Sequence, residues 1–128
     1  MYTRDISEYE MMSFRHNCEV LARYPIVVVK PESLDLGDLF DGFPGVRFES
    51  FDDSFFKSIA GYNRLMMSEE LYRRFSDSEY MLICQLDAWV FYDALLDWCE
   101  KGYDYVGAPW LAKLSHTRFP VSMFFMAR

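Results

Sequence analysis

The sequence predicts an α/β fold, in which helices alternate with strands of a parallel sheet. Two apolar runs and the helical patterns around them carry that prediction. Ile26-Val27-Val28-Val29 is β-branched throughout, and Tyr80-Met81-Leu82-Ile83-Cys84 is an unbroken run of apolar character, as in strands buried on both faces. Between and beside them, apolar residues recur at helical spacing, with capping residues at the starts and Gly or Pro at the ends.

In chain order, Ser7-Glu8-Tyr9-Glu10 has the form of a capping box, with serine at the cap and glutamate three residues on. Met11, Phe14, Cys18, Leu21 and Ala22 then keep helical spacing, predicting a helix over 8–23 that Pro25 stops. The strand at Ile26–Val29 follows, ended by Pro31. Asp35 to Gly45 holds glycines, Pro44 and three aspartates and reads as loop, before a short half-exposed strand at Val46-Arg47-Phe48-Glu49. Phe55 to Met67 is mixed, because Gly61 weakens a helical pattern. Ser68 caps a second helix, with Glu69 and Glu70 in its positive first turn and Leu71, Tyr72 and Phe75 inward. The central strand is expected at 80–85. Asp93 caps a third helix with Ala94, Leu95, Trp98 and Cys99 inward and Gly102 as its stop, and Tyr105–Ala108 is a further short strand. The apolar end, Val121 to Met126, reads either as a final strand or as a stub whose partner sequence is missing.

With 128 residues the chain suits one domain with a real core. Apolar residues at 52% and aromatics at 19% exclude a disordered chain. A net charge of −7 argues against nucleic acid as a partner, since phosphate binding rewards a basic surface. Cys18, Cys84 and Cys99 are odd in number and lack CxxC spacing, which points to free thiols in a reducing compartment. The N-terminus has no apolar signal core and no run is long enough to span a bilayer, so a cytoplasmic location is expected.

Asp87 is the first candidate for chemistry. It interrupts an apolar stretch that resumes at Ala88-Trp89-Val90-Phe91, and an ionised carboxylate there needs a partner. It is either the cap of a turn or a ligand-facing acid at the carboxyl end of a strand, where α/β sheets bind ligands. Gln85 shares its face if the strand stays extended. Lys57 and Arg64 are seven residues apart, so a helix sets both cations on one face, as a diphosphate requires. The same pattern is also that of a solvated basic face. Tyr62 and Asn63 lie between them, and Gly61 permits close backbone approach. Tyr103 to Trp110, with Gly107 at a strand end, forms either a pocket wall or a turn covered by an aromatic. His16 and His116 lack ligand spacing, and Asp35, Asp38 and Asp41 do not match a calcium loop.

The segments "FKSIAGYNRLM", "YMLICQLDAWVF" and "KGYDYVGAPW", in this order, resemble an uncharacterised bacterial family of glycosyltransferase-like domains. "PIVVVKPE" resembles that family's second strand and the turn after it. The resemblance covers about residues 7–110 and implies a Rossmann-like, mostly parallel sheet flanked by helices, a partial nucleotide-diphospho-sugar transferase (GT-A-like) fold. It implies a nucleotide-diphosphate sugar as ligand, with Lys57, Tyr62, Asn63, Arg64, Gln85, Asp87 and Gly107 on the donor side. It places Asp87 at the position of a DxD motif, whose two acids hold Mg or Mn on the diphosphate. Here Gln85 or Trp89 stands where the other acid would be.

The family's members begin with a strand before the first helix and continue past the Gly-Ala-Pro-Trp segment. The expectation is therefore an incomplete donor-binding domain over 1–110 and a tail over 111–128. Sugar transfer in cell-surface glycan synthesis is the leading functional expectation. The alternative is a non-catalytic remnant or nucleotide-sugar-binding module, prone to self-association through an unpaired strand edge.

Overall fold

A computed structural model describes residues 3–107 and the backbone of a strand at 125–127. The first helix, α1, spans Glu8–Val20. Its capping box is complete: the Glu10 N–H donates to Ser7 Oγ at 3.2 Å, and the Ser7 N–H donates to Glu10 Oε2 at 2.8 Å. The helix ends three residues short of the expected 23, because Pro25 disfavours helical geometry at Tyr24 and residues 21–24 close a turn instead.

Strand β1, Ile26–Pro31, pairs in parallel with β2, Val46–Phe51, in the register Ile26 to Val46 through Pro31 to Phe51. The crossover between them is built on a 3-10 turn at Gly37–Phe40 rather than on plain loop. Asp35 Oδ1 accepts the Gly37 N–H at 2.9 Å, and Gly37 takes φ +51°, a left-handed conformation that glycine adopts without strain. This turn inserts Leu36 and Phe40 beside Phe14 and Val28, forming the first core cluster. Phe14 meets Phe40 and Phe43 edge-on at 5.2 and 5.1 Å.

The second cluster is Phe51, Leu65 and Leu71, packed by Val29, Phe55, Phe56, Met66, Phe75 and Met81. It joins β2 to two helices, α2 at Ile59–Met66 and α3 at Glu69–Arg74. The mixed reading of 55–67 resolves into a 3-10 turn at Asp53–Phe56, then Ser58 capping α2. Gly61, the residue that weakened the helical pattern, faces the 3-10 turn so closely that a side chain has no room. Ser68 caps α3 as expected, and Leu71 is fully buried. Tyr72, expected inward, is exposed and its hydroxyl donates to Met66 O at 2.8 Å. Arg74 ties α3 to β2, donating to Ser50 O at 2.7 Å while its guanidinium lies 4.3 Å from the Phe51 ring centroid.

The second sheet corrects the expectation of a mostly parallel arrangement. Strand β3 is Met81–Ile83, and β4, Tyr105–Gly107, follows the short helix α4, Leu95–Cys99. Strand β5, Phe125–Ala127, lies between β3 and β4 and is antiparallel to both. The parallel pair is thus β1 and β2 alone among the described strands, and within the end segment expected as strand or stub the described residues, Phe125–Ala127, form a strand. The apolar run at 80–85 gives three half-buried strand residues rather than six doubly buried ones. Asp93 Oδ1 accepts the Leu95 N–H at 3.1 Å, one residue before the α4 cap position at Ala94. Among the described residues, no helix is long and apolar enough to cross a membrane.

Candidate functional site

Strand β3 ends at Ile83, and the chain leaves the sheet by a turn closed by the Ala88 N–H donating to Gln85 O at 3.0 Å. The neighbours of Asp87 are anchored: Leu86 packs on the first core cluster and Ala88 is buried. Asp87 itself is exposed. It makes no hydrogen bond or ion pair with another described residue, in contrast to the paired, buried acid that the flanking run suggested. The reason is local geometry. Because the strand stops at Ile83, alternation no longer applies, and a turn lifts Asp87 into solvent while half-buried Gln85 closes the turn through its carbonyl.

Helix α1 holds this turn through its polar flank. Ser13 Oγ donates to Ala88 O, and Asn17 Nδ2 donates to the same carbonyl at 2.7 Å. The Val90 N–H donates back to Asn17 Oδ1 at 2.9 Å. His16 Nε2 donates to Val90 O at 2.8 Å, the tautomer following from the carbonyl acceptor, and its ring stacks on Trp89 with centroids 3.8 Å apart. Further on, Tyr24 Oη donates to Asp93 Oδ1 at 3.0 Å and Arg23 pairs with Asp93 at 3.3 Å. The backbone at Ala88 and Val90 is thus tied to α1, and the Asp93 side chain to the turn that follows it. Cys84 lies below the turn, with its sulfur 3.7 Å from Asn17 Nδ2. The residue reaches solvent, yet desolvation of the thiol, with the Asp87 carboxylate adding to it, pushes its pKa up to about 11. This disfavours the thiolate, the nucleophilic form, at neutral pH.

The second group gathers where the 3-10 turn meets α2. Lys57 ends the 3-10 turn, Ser58 caps α2, and Arg64 sits in its last turn. Arg64 folds back: Nη2 donates to Ser54 Oγ at 3.2 Å, and the guanidinium lies 5.2 Å from the Phe55 ring centroid. Asp52 and Asp53 stand opposite the cations. The Ser54 hydrogen bonds hold the Asp52 carboxyl below its usual range, with Lys57 and Arg64 contributing, and the Ser33 bonds do the same for Asp53, with Lys57 contributing. A lowered folded pKa means stability that is present above the ordinary value of 3.8 and lost as pH falls through the folded values. The acid limb of the stability curve, below about pH 5, should therefore flatten in Asp52→Asn/Asp53→Asn, as read by denaturant titrations at stepped pH.

Tyr62 is half-buried and Asn63 exposed, its carbonyl accepting the Met67 N–H at 3.1 Å. Gly107 is exposed and in register with Phe125 on β5. Lys57 and Arg64 both act on the Asp52 carboxyl, but Lys57 precedes the Ser58 cap, so the two cations do not share one helix as the seven-residue spacing supposed. Among the described residues, no hydrogen bond or ion pair joins that group to Gln85, Asp87 or Gly107. The Ala108-Pro109-Trp110 part of the third candidate lies outside the described residues.

The described residues contain no group of three or more His, Cys, Asp or Glu side chains able to hold a metal ion. Asp87 with no second acid at its side does not fit a protein-built site for Mg or Mn, which take several oxygen ligands. No chemistry is assigned to a metal. Sequence reasoning missed Ser13, His16 and Asn17. Their signal was a polar pair at i, i+4 beside a histidine, on the flank of an otherwise amphipathic helix.

A family model described as "Protein of unknown function (DUF5672)" matches residues 45–124. No curated protein and no solved structure matches the chain.

Proposed function

The chain belongs to the DUF5672 family, and we propose, from the arrangement around Asp87, that it binds a nucleotide-diphosphate sugar and transfers the sugar in cell-surface glycan synthesis. The observation that carries this reading is Asp87, an exposed carboxylate without a partner among the described residues, on a turn whose flanks are pinned. Such an acid accepts hydrogen bonds from sugar hydroxyls without first breaking a bond to another described residue. The Lys57 and Arg64 side chains supply positive charge for a diphosphate, with Tyr62 and Asn63 beside them. Arg64 must leave Ser54 to bind it bidentately, so this half of the site rearranges on binding. Gln85 and Gly107 belong to the sugar side in this reading. The finer fold, a partial GT-A-like sheet, is part of the same proposal and is supported by the parallel β1–β2 pair and by Asp87 beyond the carboxyl end of β3.

Titration calorimetry with UDP-glucose and GDP-mannose, each with and without manganese, tests the reading. Saturable binding is expected for one of them, weakened about tenfold in Asp87→Asn, or roughly 1.4 kcal/mol. Binding with no sugar transfer to water or to added glycans removes the transferase part. No binding to either sugar nucleotide sinks the donor-site reading.

A further inference from the structure

We propose that Asn17 is the positioning residue of the Asp87 turn, setting ligand affinity from helix α1 without touching ligand. The proposal rests on the reading of Asp87 as the ligand-facing acid. Its ground is the way one buried amide is used. Asn17 is 8% exposed, and its two amide atoms bind backbone groups on the far side of Asp87 more than 70 residues away, at Ala88 O and Val90 N. A side-chain amide matches a donor–acceptor pair in this way only when the two backbone groups keep a fixed mutual orientation. The Asp87 Cα is then held from both sides, by Leu86 in the core and by Ala88 on Asn17. Holding the carboxylate before ligand arrives removes an ordering cost from binding.

Ser13 and His16 do less specific work. Ser13 shares the Ala88 carbonyl with Asn17, and His16 fixes Val90 O and the Trp89 ring beyond it. In Asn17→Ala, Ser13 still satisfies the Ala88 carbonyl while the Val90 N–H loses its acceptor. The turn loosens there, and the two core clusters, which Asn17 does not join, keep the fold.

The test combines amide exchange by NMR with titration of whichever of UDP-glucose and GDP-mannose binds, in wild type, Asn17→Ala, Asp87→Asn and the double variant. Val90 amide exchange should rise by about a hundredfold or more in Asn17→Ala, with the amide of core residue Leu65 unchanged. Affinity for that sugar nucleotide should fall about tenfold in Asn17→Ala and no further when Asn17→Ala is added to Asp87→Asn, because Asn17 acts through Asp87. Unchanged Val90 exchange overturns the proposal, as does faster exchange with unchanged affinity or an additive double variant. In those cases a weakened Asp87→Asn leaves the donor-site reading standing. Failure of wild type to bind UDP-glucose or GDP-mannose removes the reading and the positioning proposal together.

Discussion

Phe51→Ala is expected to cost about 3–5 kcal/mol of unfolding free energy, the largest effect expected of any single truncation among the described residues. Phe51 is 0% exposed at the carboxyl end of β2, and Leu65 from α2 and Leu71 from α3 close on it, each 1% exposed. Neither helix is long. With eight and six residues, α2 and α3 are below the length at which a helix holds itself in water, so they depend on this contact. Truncating the ring also removes the surface on which the Arg74 guanidinium lies, loosening the hydrogen bond from Arg74 to Ser50 O. A domain of this size has about 5–15 kcal/mol in all, so much of it is lost. Urea denaturation followed by circular dichroism measures the change. A loss below about 1 kcal/mol would show that the second cluster is not the centre of the fold.

Local rules made α1, the start of α3 and strand β1 legible, because each is written within a few adjacent residues. The capping box at Ser7 and Glu10, the serine before Glu69 and the β-branched run at 26–29 needed no tertiary information. What was not legible depends on contacts between distant segments. The sheet that holds β3 is antiparallel through its pairing with β5, some 40 residues further along, and an apolar run by itself does not specify the direction of its neighbour. The exposed state of Asp87 was hidden for a related reason. Burial was inferred from its apolar flanks, but Leu86 and Ala88 turn inward at a bend while Asp87 turns out. The surroundings expected for Asp87 were therefore wrong, a turn in solvent standing where a buried strand end was expected. Ser13, His16 and Asn17, which surround Asp87's turn, sit 70 or more residues from it, and no local pattern connects the two.

Gly61→Ala is expected to destabilise by about 1–3 kcal/mol, although alanine is by far the better helix former. The two effects oppose each other, and their sizes decide the sign. Replacing glycine within a helix contributes about 1 kcal/mol in favour of alanine. Against it, a Cβ at Gly61 would lie 2.6 Å from Ser54 O and 2.9 Å from Phe55 O. Both atoms are backbone, fixed by a 3-10 turn that Asp52 caps, so no side chain can swing aside to make room. Either α2 moves away from the turn or the turn deforms, and each breaks the contact by which Phe55 and Leu65 share a cluster. The displacement has a second consequence. Arg64 reaches Ser54 because α2 lies directly on the turn that Lys57 ends. Gly61→Ala should therefore weaken UDP-glucose binding as well as stability, whereas the exposed neighbour Ala60→Gly, which loses helix propensity without any clash, should lower stability alone. Paired denaturation and titration of the two variants make the comparison. Equal loss of binding in both would mean that close packing at Gly61 has no part in placing the two cations.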